Sequence, residues 1–116
     1  MTEFTTHLND VFERFGPIHG KRMFGGYGIY HHNLMFALVA DDVLYLKADV
    51  ESAAFFEQVG LTCFEYVKNG KAMRMSYYRA PEEIFDDPDL AKVWAIRAYD
   101  AALRSRKPIT KSRKKK

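Results

Sequence analysis

Asn69-Gly70 stands between two stretches, residues 62–68 and 71–78, in which apolar and polar side chains alternate. A two-residue hairpin turn needs positive φ at both central positions, which Asn and Gly tolerate best, so this pair pins one antiparallel hairpin. A hairpin alone cannot hide its apolar face in water, and the rest of the chain must extend and cover it. Phe4, Leu8, Val11, Phe12 and Phe15 recur at spacings of three and four before Gly16-Pro17, the pattern of an amphipathic helix with a glycine stop. Apolar stretches at 23–30, 34–40 and 43–48, separated by His31-His32-Asn33 and Asp41-Asp42, read as an antiparallel meander. Asp49 then caps a helix containing Val50, Ala53, Ala54, Phe55, Phe56 and Val59, which Gly60 ends. Pro81-Glu82-Glu83 begins a short helical turn. Asp87 as N-cap and Pro88 at the first helical position open a long helix running to about residue 106. The order is helix, three strands, helix, two strands, helix. It predicts an α+β two-layer sandwich with a five-stranded antiparallel sheet, because strands come in runs and not in alternation with crossover helices.

With 116 residues, 47% of them hydrophobic, the chain has material for one core and not for a second full domain. Residues 1–103 carry ten basic against all fifteen acidic side chains, a body of −5. Residues 104–116 carry eight positive charges and no acid: Arg104, Arg106, Lys107, Lys111, Arg113, Lys114, Lys115 and Lys116. The chain therefore divides into a folded domain over 1–106 and a disordered basic tail over 107–116. Those eight side chains are candidate phosphate contacts, of the weak, salt-dependent and sequence-indifferent kind. The single cysteine, Cys63, forms no internal disulfide and favours a reducing compartment. No apolar run approaches the roughly 20 residues that cross a bilayer, and the N-terminus lacks a basic-then-apolar signal. The expectation is a cytoplasmic protein without membrane contact.

Constellations for chemistry are weak. Gly25-Gly26-Tyr27-Gly28 has neither the spacing nor the following helix of a phosphate loop, and in a strand such glycines serve a bulge or the close approach of another backbone. His31 and His32 are adjacent, point to opposite faces of a strand, and have no Cys or carboxylate cluster to complete a metal site. Cys63, beside Phe64 and Tyr66, reads as a small buried hydrophobe and not a nucleophile. Glu82, Glu83, Asp86, Asp87 and Asp89 read as capping and solvating residues at helix starts. No catalytic residue, metal or cofactor is expected.

Two surfaces invite partners. On the last helix, Leu90, Val93, Trp94, Ala98 and Ala101 form one apolar face, while Ile96, Tyr99 and Leu103 form a second stripe nearly opposite, a candidate contact with a partner such as a second copy of this chain. Arg97 interrupts the main face and is expected to extend its charge to an acid at the rim. In the second hairpin, Met73, Met75 and Tyr77 alternate with Arg74, Ser76 and Tyr78. One set faces the helices and the other leaves an Arg and a Tyr on the second face of the sheet. That arrangement is found in some single-strand RNA readers, although the RNP pattern is missing, so packing against a partner or a loop is the expectation.

The string Lys21-Arg22-Met23-Phe24-Gly25-Gly26-Tyr27-Gly28-Ile29-Tyr30 resembles the N-terminal domain of the TfoX/Sxy competence regulators, as do Met35-Phe36-Ala37-Leu38, Leu44-Tyr45-Leu46-Lys47-Ala48-Asp49, residues 75–83 and Trp94-Ala95 with its alanine-rich helix. The resemblance covers roughly residues 8–104. It implies a two-layer α+β domain and a bacterial, non-enzymatic regulatory role in DNA transformation, exercised through protein contacts in transcription alongside a regulator such as the cyclic-AMP receptor protein. It carries over no catalytic residue, and it leaves Arg22, Met23, Phe24, Gly25, Gly26, Tyr27 and Gly28 as a motif of structural or partner-binding character. Full-length regulators of this kind carry a second, C-terminal domain, whereas here a lysine tail follows.

Overall fold

The computed structural model describes residues 3–23 and 25–106. Helix α1 (Glu3–Val11) leads into strands β1 (His19–Met23), β2 (Gly26–His31), β3 (Leu34–Ala40) and β4 (Val43–Lys47). Helix α2 (Ala53–Gln58), strands β5 (Cys63–Lys68) and β6 (Lys71–Arg79), a short 3-10 helix (Glu82–Asp86) and helix α3 (Pro88–Ser105) complete the chain. The strands form one antiparallel sheet in the order β1-β2-β3-β4-β6-β5, so the second hairpin docks on the meander through β6.

The sheet has six strands where the sequence predicts five. The stretch 23–30 is not one strand, because Gly25 takes φ +77° and Met23 pairs back on Gly26. That hairpin lengthens the chain's pairing into residues 19–22, whose charged Lys21 and Arg22 hid the strand from a reading based on apolar runs. The other tight turns follow the expected chemistry: His32-Asn33, Asp41-Asp42 and Asn69-Gly70 all have positive φ at both positions, between 50° and 78°.

Two helices are shorter than their patterns predict. Helix α1 ends at Val11, yet Phe12 and Phe15 still pack on the core from the turn before Gly16, whose φ is +142°. Helix α2 starts at Ala53 because Asp49 and Ser52 close a turn ahead of it. The Ser52 N–H donates to Asp49 Oδ1 and the Asp49 N–H donates to Ser52 Oγ, each at 3.0 Å. Val50, expected on the apolar face, is 97% exposed on that turn. Helix α3 begins as predicted, with Asp87 Oδ1 accepting the Leu90 N–H at 3.1 Å and Pro88 in the first turn.

The core lies between the helices and one face of the sheet. Ala91, Ala95, Ala98 and Ala102 are buried along α3, and their small side chains let the helix lie close over β3 and β4. Leu8 and Val11 bring α1 into the cluster, Phe12 just after it packs edge-on to Phe36 at 5.7 Å, and Phe56 of α2 meets Trp94 of α3 at 4.9 Å. Full burial of a ring such as Phe36 contributes about 2–3 kcal/mol.

Candidate functional site

Strand alternation and register divide the sheet into two faces. Ile29 pairs with Ala37 and Ala37 with Leu46, while Val39 pairs with Leu44, and all of these belong to the core under the helices. The intervening positions, Gly28 opposite Leu38, Leu38 opposite Tyr45 and Tyr45 opposite Arg79, fall on the other face. Among the described residues each helix packs on the first face: α1 through Leu8 and Val11, α2 through Phe56 stacked on Tyr78, and α3 over β3 and β4. Tyr78 therefore faces the helices and Tyr77 the opposite side. This corrects the expectation that the Arg74 and Tyr78 set forms the second face.

The second face is apolar at its centre and cationic over its rings. Leu38 and Tyr77 are each 8% exposed although neither belongs to the core cluster, so neighbouring side chains of the sheet cover them. Burial and the nearby Tyr30 hydroxyl push the Tyr77 phenol up to about 12. The Lys47 ammonium lies 5.2 Å from the Tyr77 ring centre and 2.5 Å from Ser76 Oγ, and desolvation lowers its pKa, partly offset by Asp49. The Lys21 ammonium lies 5.0 Å from the Tyr30 ring, on which His19 also stacks at 5.5 Å. Tyr45 meets Phe64 edge-on at 4.8 Å. Tyr30, Met35, Tyr45 and Phe64 are half-buried and keep ring or thioether surface open to solvent.

Charge is segregated in the same sense. The six strands hold Lys21, Arg22, Lys47, Lys68, Lys71, Arg74 and Arg79 against a single acid, Glu65. The helices and connections hold the other fourteen of the fifteen acids. The acidic body inferred from the sequence thus carries its acids outside the strands and much of its positive charge within them.

The glycine-rich motif shapes this face. A Cβ on Gly26 would lie 2.0 Å from the Val39 carbonyl oxygen, so β2 and β3 approach here only because no side chain intervenes. A Cβ on Gly28 would meet Met23 Sδ at 2.6 Å, Met35 Sδ at 2.9 Å and the Tyr30 ring at 3.1 Å, which places two thioethers and a tyrosine together over that glycine. Tyr27 packs on the core, Arg22 is exposed on the edge strand opposite Tyr27, and Phe24 lies outside the described residues. The sequence does not group Lys21, Tyr30, Tyr45, Lys47 and Tyr77 as one surface, although alternation within β1, β2, β4 and β6 puts them on one face once the register is known.

The expected stripe on α3 does not hold together. Tyr99 turns inward and packs on Phe15 at 5.9 Å, His31 at 5.2 Å and Phe36 at 6.4 Å, leaving Ile96 at 41% and Leu103 at 37% exposed. A large ring at the border of the main face finds the gap that β3 and the turn after α1 leave open. Arg97 lies over the rings of Phe55 at 3.9 Å and Trp94 at 4.9 Å, a cation–π contact where an acid at the rim was expected.

Of the candidate phosphate contacts, Arg104 belongs to α3 and is engaged by carboxylates. Its Nε and a terminal nitrogen donate to Asp49 at 2.6 and 3.0 Å, and Glu51 lies 3.1 Å from Nε. This pairing, aided by the Ser52 bonds, holds the Asp49 carboxyl down at about 2. Arg106 is exposed at the end of α3, and Lys107, Lys111, Arg113, Lys114, Lys115 and Lys116 lie outside the described residues.

His31 is buried, its Nδ1–H donating to the Pro17 carbonyl at 2.7 Å and its ring stacked on His32 at 3.9 Å. Among the described residues no three His, Cys, Asp or Glu side chains gather as a metal site, and no helix is long and apolar enough to cross a membrane.

Comparison with known proteins agrees with this architecture. Residues 10–102 match the TfoX N-terminal domain. The chain is 33% identical over 81 residues to the DNA transformation protein TfoX1 of Aliivibrio fischeri, covering 66% of this chain and 39% of that protein. It is 30% identical over 93 residues to Protein Sxy of Escherichia coli, covering 78% of this chain and 44% of that protein. It thus spans about two fifths of the length of the curated relatives it matches. The domain match runs from the end of α1 through the whole sheet and α2 to within three residues of the end of α3, and on that ground the chain belongs to the TfoX N-terminal domain family.

Proposed function

We propose that this chain is a non-enzymatic regulatory module of DNA transformation competence that acts through protein contacts in transcription. The observation that carries the reading is the family match over residues 10–102. One of the relatives is itself a DNA transformation protein. The cationic, ring-bearing sheet face supplies a surface for recognition, and the buried His31 and carboxylate-paired Arg104 are accounted for by folding. By resemblance, the partner is a component of the transcription machinery or a regulator such as the cyclic-AMP receptor protein. The test is expression of the chain in a naturally competent host that lacks its own regulator, with a reporter on a DNA-uptake promoter. Reporter activity should rise severalfold and depend on the cyclic-AMP receptor protein. A folded, well-expressed chain that leaves the reporter silent and fails to co-purify with that receptor would sink the reading.

A second reading rests on the eight Lys and Arg of residues 104–116, which favour sequence-indifferent contact with nucleic acid. Because Arg104 is already paired with Asp49 and Glu51, the contribution falls to Arg106 and the residues after it. Anisotropy of a labelled duplex, titrated with the full chain and with a chain ending at Arg106, separates this contact from one made by the body.

A further inference from the structure

We infer that the helix-free face of the sheet binds single-stranded nucleic acid, with bases stacking on Tyr30 and Tyr45 and phosphates meeting Lys21 and Lys47. Three observations converge on that occupant. Charge is the first: register places Lys21, Lys47 and Arg79 on this face, while fourteen of the fifteen acids lie in the helices and connections. An anionic chain is therefore attracted to this face. The second is the pairing of charge with rings. Lys21 sits 5.0 Å from the half-buried Tyr30 ring, and Lys47 follows the half-buried Tyr45 by two positions on β4, so cation and open ring stand side by side on this face as phosphate and base do along a strand. The third is shape. Gly26 lets β2 lie close to β3, Gly28 leaves room for the Met23 and Met35 thioethers, and the half-buried Tyr30, Met35 and Tyr45 offer a broad surface on which unstacked bases can lie. A duplex keeps its bases stacked inside and cannot use those rings.

Other occupants fit less well. An acidic peptide would satisfy the lysines and leave the rings unused. A second copy placed face to face would oppose Lys21 and Lys47 with like charges.

The experiment uses the full chain and fluorescence anisotropy of labelled 12-residue dT and rU strands, a 12-base-pair duplex and an oligoglutamate peptide, at several salt concentrations. Lys21→Gln with Lys47→Gln should weaken strand binding at least tenfold and flatten the logarithmic salt dependence by about 1.4, roughly 0.7 for each lost cation. Tyr45→Leu should weaken it about fivefold or more, as loss of one stacked base does. Lys92→Gln, on the outer side of α3, should change nothing. Thermal unfolding of each variant confirms that the fold is kept, and the two lysine changes, made at side chains that do not enter the core, keep the test decisive if Tyr45→Leu unfolds. The inference is overturned if the double lysine variant binds as tightly as the parent, which assigns the strand to the C-terminal cations. It is equally overturned if the duplex binds as tightly as the single strand, or if oligoglutamate does, since charge alone is then being read.

Discussion

Replacing three neighbouring glycines by alanine should cost far more stability at one of them than at the other two, because each meets a different obstacle. At Gly26 the new Cβ would lie 2.0 Å from the Val39 carbonyl oxygen, and such contacts need 3.0 Å or more, so β2 and β3 must part by about 1 Å. A shift of that size spoils the hydrogen bonds around Tyr27 opposite Val39 and Gly28 opposite Leu38, at about 1 kcal/mol each, and adds packing strain of about 1–3 kcal/mol. The expected loss is about 3 kcal/mol or more, a large part of the roughly 6–15 kcal/mol available to a domain of this size. At Gly25 no atom stands within 4 Å, and the cost is the left-handed backbone alone, φ +77°, at about 1 kcal/mol. At Gly28 the obstacles are the Met23 and Met35 thioethers and a ring edge, which can swing aside, so about 1 kcal/mol is expected there as well. Urea unfolding followed by tryptophan fluorescence, with Trp94 as the single reporter, measures all three. Equal losses at Gly26 and Gly25 would show that the close strand approach is not what excludes a side chain from position 26, and the structural account of the motif would fail.

Two further predictions concern α3 and its anchor. Tyr99→Ala should cost about 3 kcal/mol by opening a cavity against Phe15, His31 and Phe36, whereas Ile96→Ala should cost under about 0.5 kcal/mol; similar losses at the two positions in thermal unfolding would contradict the inward placement of Tyr99. The Asp49 carboxyl titrates at about 2 in the folded chain against 3.8 when free, so its contribution is complete above about pH 5 and is lost as pH falls through the folded value near 2. Solvent screening of this surface pair limits that contribution to about 1 kcal/mol. Asp49→Asn should therefore lower the melting temperature at neutral pH by roughly 4 °C and shrink its gap from the parent near pH 2. A gap that stays constant down to pH 2 would remove the ion pair as its cause.

Local chemistry legible in the sequence accounts for much of the fold. Asn69-Gly70, Asp41-Asp42 and His32-Asn33 each tolerate positive φ and set their turns without help from distant residues, and Asp87-Pro88 starts α3 through its own side chain and fixed φ. The first edge strand was not legible. His19, Gly20, Lys21, Arg22 and Met23 carry little apolar signal, and only pairing with β2 makes them a strand. The N-terminus of α2 was misplaced for a related reason, since Asp49 is a good cap in isolation but here bonds to Ser52 and to Arg104 from the other end of the chain.

By itself, the sequence determined the number and kind of most elements, their antiparallel connection, and the kinship with the TfoX N-terminal domain, because periodicity, turn residues and motif strings act over a few neighbouring positions. Only the tertiary structure decided which side of each strand the helices cover. Alternation names two faces but not the one that meets α3; register across β2, β3, β4 and β6 settles it, and that register depends on a bulge between Ile29 and Tyr30 and on the docking of β6 beside β4. Those long-range pairings turn Tyr78 and Tyr99 inward and bring Lys21, Tyr30, Lys47 and Tyr77, distant in the chain, onto one helix-free surface.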